Sequence, residues 1–414
     1  MRKQIIPLII SLFLLSACSS YEEVSPSSEY IKDETTSAKR SKDEAFAIVQ
    51  NILKEHTFIN TTRGGSTERE IDLSKTFIYR NQSKTRSITS DDTLMYVFNF
   101  KDSLGFAVIS ACKNTPALLA ISDLGFYDTE KECENDGFSE TMQMAAKYVR
   151  ERFHGDTLHV GPHNPSIIDS IVRPAYGNHL SNRINLKWGG GDIYAKYCEY
   201  GNLGCFPVAI MQTAAILRPS NTIRLTYPNR DVDSIVVDWD DMCRHTISFY
   251  QNEEELPAYC TASAEAHDNI ARLGRQIGKL LEINYNNNNM ALWMDLVDDC
   301  LHELGFPWLG EFQEYINVSV PTIIWNNGVI LMRHNGHAWI VDNYQLINMS
   351  NGNSIWGPSC YNHINWGWNG ICNGYYLDNI FNTNNACSYD DIPYEHFGTG
   401  DYGGEGIKYI HVHL

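Results

Sequence analysis

Apolar positions run through several different periods along the first third of the chain. From 43 to 54 the spacing of Ala45, Phe46, Ile48, Val49, Ile52 and Leu53 is helical, and Ser41-Lys42-Asp43-Glu44 supplies a cap with acid close behind. Residues 94–100, 105–110 and 117–122 are short β-rich runs, parted by Lys101-Asp102-Ser103 and by Lys113-Asn114-Thr115-Pro116. A second helix is expected over about 140–152. Helix plus meander over 41–130 predicts a small α+β domain, and no catalytic cluster shows within it. The following segment, with His154-Gly155-Asp156 and Gly161-Pro162-His163-Asn164-Pro165, reads as a connector.

A second domain is expected from near Ile171 to the end. Its first strong element is 205–217, a helix apolar on nearly every side, with only Gln212 and Thr213 as polar relief. An irregular Asp- and Asn-rich stretch follows. Helices are then expected at 263–281, with Ile270, Leu273, Ile277, Leu280 and Leu281 on one face, and around 289–304. Beyond them the pattern turns β, at 321–325, 329–333, 337–344, 363–368 and 374–377. Asn326-Asn327-Gly328 would join the first two strands and His334-Asn335-Gly336 the next pair, since Asn-Gly between apolar runs signals a tight hairpin. Helices come first and an antiparallel sheet follows, so this domain too is α+β.

Length and composition fit this picture. The 414 residues allow two or three domains, and 43% hydrophobic with 12% aromatic content can build real cores. A formal charge of −18 argues against nucleic-acid partners and against a grip on anionic lipid. The N-terminus carries an address. Arg2 and Lys3 precede an apolar run from Ile5 to Leu15, too short for a membrane-spanning helix, which ends in Leu15-Ser16-Ala17-Cys18. That ending resembles a bacterial lipoprotein signal, which implies lipidation of Cys18; the alternative is an ordinary secretory signal. Ser19 next to it resembles lipoproteins sent to the outer membrane, so the expected location is the outer membrane or cell surface. Residues 19–40, rich in Ser, Glu, Thr and Lys, read as a tether.

The chemistry centres on Gly204-Cys205-Phe206-Pro207. Pro207 suits a first helical turn, which places Cys205 at the start of a buried helix. There the unpaired N–H groups and the positive dipole end favour thiolate, the nucleophilic form. Gly204 leaves the approach open, and the Cys205 N–H would face the oxygen of an attacked carbonyl. His337 follows a hairpin turn at the start of a strand, and Asn365 and Trp366 stand on a strand that a long loop brings alongside. A neighbouring amide can orient the imidazole, and Trp366 can shield it from water.

In that order, Gly204-Cys205 through Met211-Gln212, then Gly336-His337-Ala338-Trp339-Ile340-Val341-Asp342, then Asn365-Trp366-Gly367-Trp368, resemble the streptopain family of papain-like cysteine peptidases. The runs at 96–100, 105–110 and 119–125 are similar to that family's inhibitory pro-domain, so the resemblance covers about 41–382. It implies a papain-like α+β fold preceded by a small α+β pro-domain. The division would be signal 1–18, tether 19–40, pro-domain 41–154, connector and processing region 155–182, and peptidase domain 171–414. It further implies peptide hydrolysis through an acyl-enzyme, with Cys205 as nucleophile, His337 as base and acid, and Asn365 with Trp366 as the orienting pair. Polypeptide substrates and the chain's own pro-domain would be the partners. The membrane would be met only through lipidated Cys18, and no cofactor is called for. An acyl-enzyme would serve transfer as well as hydrolysis.

The departures from the family pattern bear on activity. The family commonly carries Trp-Gly-Gln-Gly ahead of the cysteine, with Gln as an oxyanion donor; here the stretch is Trp188-Gly189-Gly190-Gly191, with Gly190 at the Gln position. Losing one such donor typically costs about 10²–10³ in turnover. Gln212 lies about two helical turns from Cys205 and is too far to replace it. The Gly189–Gly191 backbone and Asn202 are the candidates. Asn343 and Asn369 stand where the family usually has Gly, a substitution that Asn tolerates in left-handed backbone. Gly190 also feeds a second reading, a non-catalytic binding or inhibitory protein on the same scaffold. Of eleven cysteines, nine remain after Cys18 and Cys205, an odd number that leaves at least one thiol free. Cys360 and His363, with Cys372 and Cys387 nearby, lack the second tight pair of a zinc site, and no metal is assigned.

Overall fold

The computed structural model describes residues 39–54, 69–80, 93–131, 135–153, 170–172, 186–199, 201–226, 232–244, 262–285, 295–348, 359–381 and 406–414, within one compact unit spanning 38–414. Cys18, the tether apart from Lys39 and Arg40, and most of the connector lie outside the described residues, as do Cys133, Cys260 and Cys387.

Helix α1 (Lys42–Lys54) opens this unit and buries Ala45, Ile48, Val49 and Ile52. Its capping box is formed: Ser41 Oγ accepts from the Glu44 N–H, and the Ser41 N–H donates back to Glu44 Oε2. Strands β1 (Ile71–Arg80), β2 (Thr93–Phe100), β3 (Phe106–Ser110) and β4 (Leu118–Ser122) form an antiparallel meander, and α2 (Asp136–Phe153) covers it. β1 is absent from the sequence reading because its residues alternate only weakly and none is fully buried. Helix α2 starts at Asp136, four residues before the expected 140, with Asn135 as its cap: Asn135 Oδ1 accepts from the Phe138 N–H at 3.0 Å.

Strand β5 (Ser170–Val172) lies within the predicted connector and pairs with β10. After α3 (Cys205–Leu217) comes a hairpin of β6 (Thr222–Thr226) and β7 (Val232–Val236), inside the stretch expected to be irregular. Then follow α4 (Trp239–Met242), α5 (Ala264–Leu280), capped by Ser263, and α6 (Asp295–Glu303). Beyond β8 (Gln313–Glu314), residues 321–325 form helix α7 (Val320–Trp325) rather than the expected strand. Pro321 in its first turn outweighs the β preference of Thr322, Ile323 and Ile324. The turn after it is a helix exit, not a hairpin. Asn327 sits at φ 63° and donates to Ile324 O, and the Gly328 N–H donates to Ile323 O.

The remaining strands are β9 (Val329–His334), β10 (His337–Asn348), β11 (Ser359–Asn365), β12 (Gly374–Leu377) and β13 (Lys408–Val412). The β9–β10 hairpin has the expected two-residue turn, with Asn335 at φ 43° and Gly336 at φ 81°. One sheet runs in the order β1-β2-β3-β4-β12-β11-β10-β9-β13-β8, so β4 of the N-terminal meander hydrogen-bonds directly to β12 of the C-terminal half. The period of two divides this sheet between two cores. Ile330, Met332, Trp339 and Val341 face the core shared with α1 and α2; Val329, Leu331, Ala338 and Ile340 face the one shared with α3, α5 and α6. Helix α3 is thereby held against β9 and β10, with its N-terminus beside the hairpin that begins β10.

Candidate active site

Cys205 is the first residue of α3, and the glycine before it is fixed by geometry. Gly204 has φ 86°, where a side chain would be strained. Its N–H donates to Asn202 Oδ1 at 2.9 Å, and the Leu203 N–H donates to Gly190 O at 2.7 Å. The glycine loop 189–191 is thus tied to the loop that leads into Cys205. Cys205, His337, Trp366, Gly190 and Asn202 line one pocket of about 530 Å³, together with Asp136 from α2. Residues far apart in the chain converge because α3 and the β9–β10 hairpin pack through the same core.

The thiol of Cys205 donates to Gly336 O at 3.5 Å, next to His337. Burial pushes this thiol up to about 11; the N–H groups of Ala338, Phe206 and Cys205 itself work against the shift, and the Asp136 carboxylate adds to it. Burial alone pushes His337 down to about 4. Its Nε2 is buried with no hydrogen-bond partner among the described residues, and its ring stacks at 6.0 Å on Trp339. Burial thus favours the uncharged form of both groups that line this pocket, thiol and neutral imidazole.

Asn365 and Trp366 occupy the expected strand end, but Asn365 does not line the pocket. Its Nδ2 donates to Leu186 O at 2.8 Å, and its Oδ1 accepts from the Gly367 N–H at 3.1 Å. Here it ties the strand end to the loop at 186 and contributes to the site through that loop. Trp366 is buried, 5.3 Å from Trp339, with its Nε1 donating to Cys372 O. Gln212 is fully buried in α3 and does not line the pocket, in line with its distance along the helix. Asn369 takes the left-handed conformation at φ 53°. Asn343 does not: it stands at a bulge of β10 opposite β11, where its Oδ1 accepts from the Tyr344 N–H. His363 is engaged by carboxylates rather than thiols, its Nδ1 2.5 Å from Asp342 and its Nε2 3.0 Å from Asp123. Cys360 donates its thiol to Asn362 Oδ1, and among the described residues no cluster of three metal-binding side chains is found.

The start of α2 lies across this site. Asp136 enters the pocket, and Gly137 abuts the His337 ring. Phe138 packs edge-on against Trp366 and Tyr376. One turn on, Glu140 Oε1 accepts from Asn335 Nδ2 at 3.2 Å, and its Oε2 lies 3.8 Å from His334 Nε2. Every residue of the β9–β10 hairpin turn thus has a neighbour on α2 or on Cys205. The sequence reading missed these contacts because it began α2 at 140. The signal was present in Asn135-Asp136, a cap followed by an acid.

The model of the peptidase C10 family matches residues 188–376, and that of the Spi protease inhibitor matches 37–149; together they take in well over half of the chain. Residues 188–376 belong to the peptidase C10 family. The chain is a cysteine-type peptidase preceded by an inhibitor-type pro-domain, in the mixed helix and antiparallel-sheet fold expected. The C10 match contains Cys205, His337, Asn365 and Trp366, and the inhibitor match ends inside α2, so Asp136, Gly137 and Glu140 belong to the inhibitor segment. Among solved structures, a mutant fragment of prointerpain A from Prevotella intermedia is 18% identical, with 81% of this chain and 98% of that chain covered and a TM-score of 0.48. Active wild-type interpain A from Prevotella intermedia is 17% identical, covering 58% of this chain and 98% of that chain with a TM-score of 0.34. No match is found among curated proteins.

Proposed function

We propose that this chain is the latent precursor of an exported, lipid-anchored cysteine endopeptidase. Cys205 is the nucleophile, His337 takes its proton and returns it to the leaving amine, and water then releases the acyl group from Cys205. The observation that carries the reading is the meeting of Cys205 and His337 at one pocket, with the start of α2 lying across it. An uncharged thiol and imidazole under that helix are what latency requires. Cleavage in the 155–182 connector would then release α2 from the site. The Arg2-Lys3 start, the short apolar run and Leu15-Ser16-Ala17-Cys18 support export and lipidation at Cys18.

The test is intact-mass analysis of the chain from residue 19 onward with a thiol-reactive epoxide, before and after limited proteolysis, beside Cys205→Ala and His337→Ala. A single adduct that needs both residues and appears only after cleavage is the expected result. The second reading, a binding or inhibitory protein without turnover, is favoured by Gly190 alone. It prevails if Cys205 stays unmodified once the N-terminal segment is gone. Lipidation is tested separately: a fatty-acid label should follow the wild-type chain in a bacterial host and be absent from Cys18→Ser.

A further inference from the structure

We infer that the side-chain amide of Asn202 is an oxyanion donor of this site, in the space that Gly190 leaves open. The inference rests on the reading of Cys205 as nucleophile. When Sγ adds to a peptide carbonyl, the C–S bond forms, the C=O π pair moves to oxygen, and His337 takes the thiol proton. Collapse expels the amine with that proton and restores the carbonyl. The charge on oxygen develops beside the Cys205 N–H at the start of α3, and one backbone donor leaves the rest of it for a side chain to hold.

The geometry narrows which side chain can do this. The loop at 189–191 supplies none. Asn369 also lines the pocket, but its Oδ1 would be 2.1 Å from a Cβ on Gly189, so that side chain is turned against the glycine loop. Asn202 is exposed within the pocket, three residues before Cys205. Its Oδ1 is committed to the Gly204 N–H at 2.9 Å, which fixes the side chain and leaves Nδ2, the donor end, for a ligand. Gly190 and Asn202 are also matched in space. A Cβ on residue 190 would lie 2.7 Å from Asn202 Oδ1, so a side chain there and this Asn202 conformer exclude one another. Leu203 N–H to Gly190 O, at 2.7 Å, holds the two loops at that spacing. Glycine at 190 is then the partner of a relocated donor rather than the trace of a lost one.

The experiment compares the proteolytically processed chain with Asn202→Ala, Asn202→Asp and the double variant Asn202→Ala/Gly190→Gln. Asp keeps an acceptor for Gly204 but offers the oxyanion no donor. Three readouts separate chemistry from structure: kcat on a fluorogenic peptide, affinity for a peptide aldehyde, and the high-pH plateau rate of Cys205 alkylation by iodoacetamide. The first two need an oxyanion site and the third does not. Both single variants should lose about 10²–10³ in kcat and a similar factor in aldehyde affinity, with alkylation within threefold of the parent. The double variant should recover part of both losses. Asn202→Asp with kcat and aldehyde affinity within threefold of the parent overturns the inference and leaves the peptidase reading standing. A fall in alkylation equal to the fall in kcat also overturns it, by showing a structural role. A processed parent that neither turns over peptide nor alkylates at Cys205 removes the peptidase reading and this inference with it.

Discussion

Gly137 leaves no room for a side chain against His337: a Cβ on Gly137 would lie 2.2 Å from Cδ2 of the imidazole and 2.7 Å from its Nε2. The pro-domain helix therefore meets the base of the proposed dyad through its smallest possible residue. This close approach sets the site's resting state.

Gly137→Val should weaken the seating of α2 by about 1–3 kcal/mol, the usual cost of forcing extra methyl groups into a packed contact. The unprocessed variant should melt several degrees lower than the parent, and its Cys205 should react faster with iodoacetamide. Once both chains are processed and α2 is gone, their reactivities should coincide. Equal melting and equal reactivity in the unprocessed chains would show that the contact relaxes without cost.

The half-buried thiol of Cys205 makes a second prediction. With Cys205 near 11 in the intact chain, about one thiol in ten thousand is ionised at pH 7. Alkylation should then rise about tenfold per pH unit up to pH 10. Processing should expose the pocket, let His337 regain its proton and allow a thiolate–imidazolium pair to form. The alkylation profile should shift to lower pH by several units, with at least a hundredfold gain at pH 7. Following Cys205 modification by mass against pH, on both forms, checks this.

Much of this site was legible in sequence, for reasons that differ by element. Helix α3 could be read because Pro207 sits in the first turn of a 13-residue run that only Gln212 and Thr213 interrupt, too long for a typical strand, and the His337 hairpin because Asn335-Gly336 demands left-handed backbone at both positions. Residues 321–325 were misread because β-branched propensity was set against a single proline and tertiary packing decided for the helix. The continuity of the sheet through β4 and β12 was not legible at all. Its pairing joins residues about 250 positions apart, and nothing local to either strand names the other. The same holds for Asp123 and His363, 240 positions apart. The orienting role read for Asn365 from its neighbourhood is, in this latent state, a set of bonds to Leu186 and Gly367.

Asp123 and Asp342 bracket His363 and separate the pro-domain's contribution from the peptidase's own. Burial alone would lower His363; the two carboxylates outweigh it and hold the imidazole up at about 10. Asp342 comes from the adjacent strand β10, whereas Asp123 follows β4 in the inhibitor segment, where it also lies 3.9 Å from buried Arg69. Asp123→Asn removes one partner from two buried cations, a loss on the order of 3–5 kcal/mol for the intact chain. Processed enzyme has no Asp123 and should melt unchanged. Asp342→Asn should lower the melting temperature of both forms, and calorimetry on the four samples reads the difference.

Glu140 gives the docked pro-domain a pH dependence whose sign can be worked out. Burial pushes its carboxyl up to about 8; the Asn335 amide pulls it down, and the Asp136 carboxylate pushes it further up. With α2 released into water the same carboxyl returns to the ordinary range near 4.3. Docked α2 therefore binds a proton that released α2 gives up between about pH 4.3 and 8. A group raised in the docked state contributes its full stabilisation below the released value and loses it as pH rises through the docked one. Release of the pro-domain should grow easier across that interval and level off above pH 8, by on the order of 5 kcal/mol at the limit. Glu140→Gln keeps an acceptor for Asn335 and cannot ionise, so its release should be flat over the same interval and harder than wild type at pH 8. The measurement is the concentration of added pro-domain, 41–154, needed to halve the alkylation rate of processed Cys205 at pH 5, 6, 7 and 8. A wild-type value that stays constant or falls as pH rises would place the Glu140 carboxyl in water in the docked state, against the 3% exposure found here.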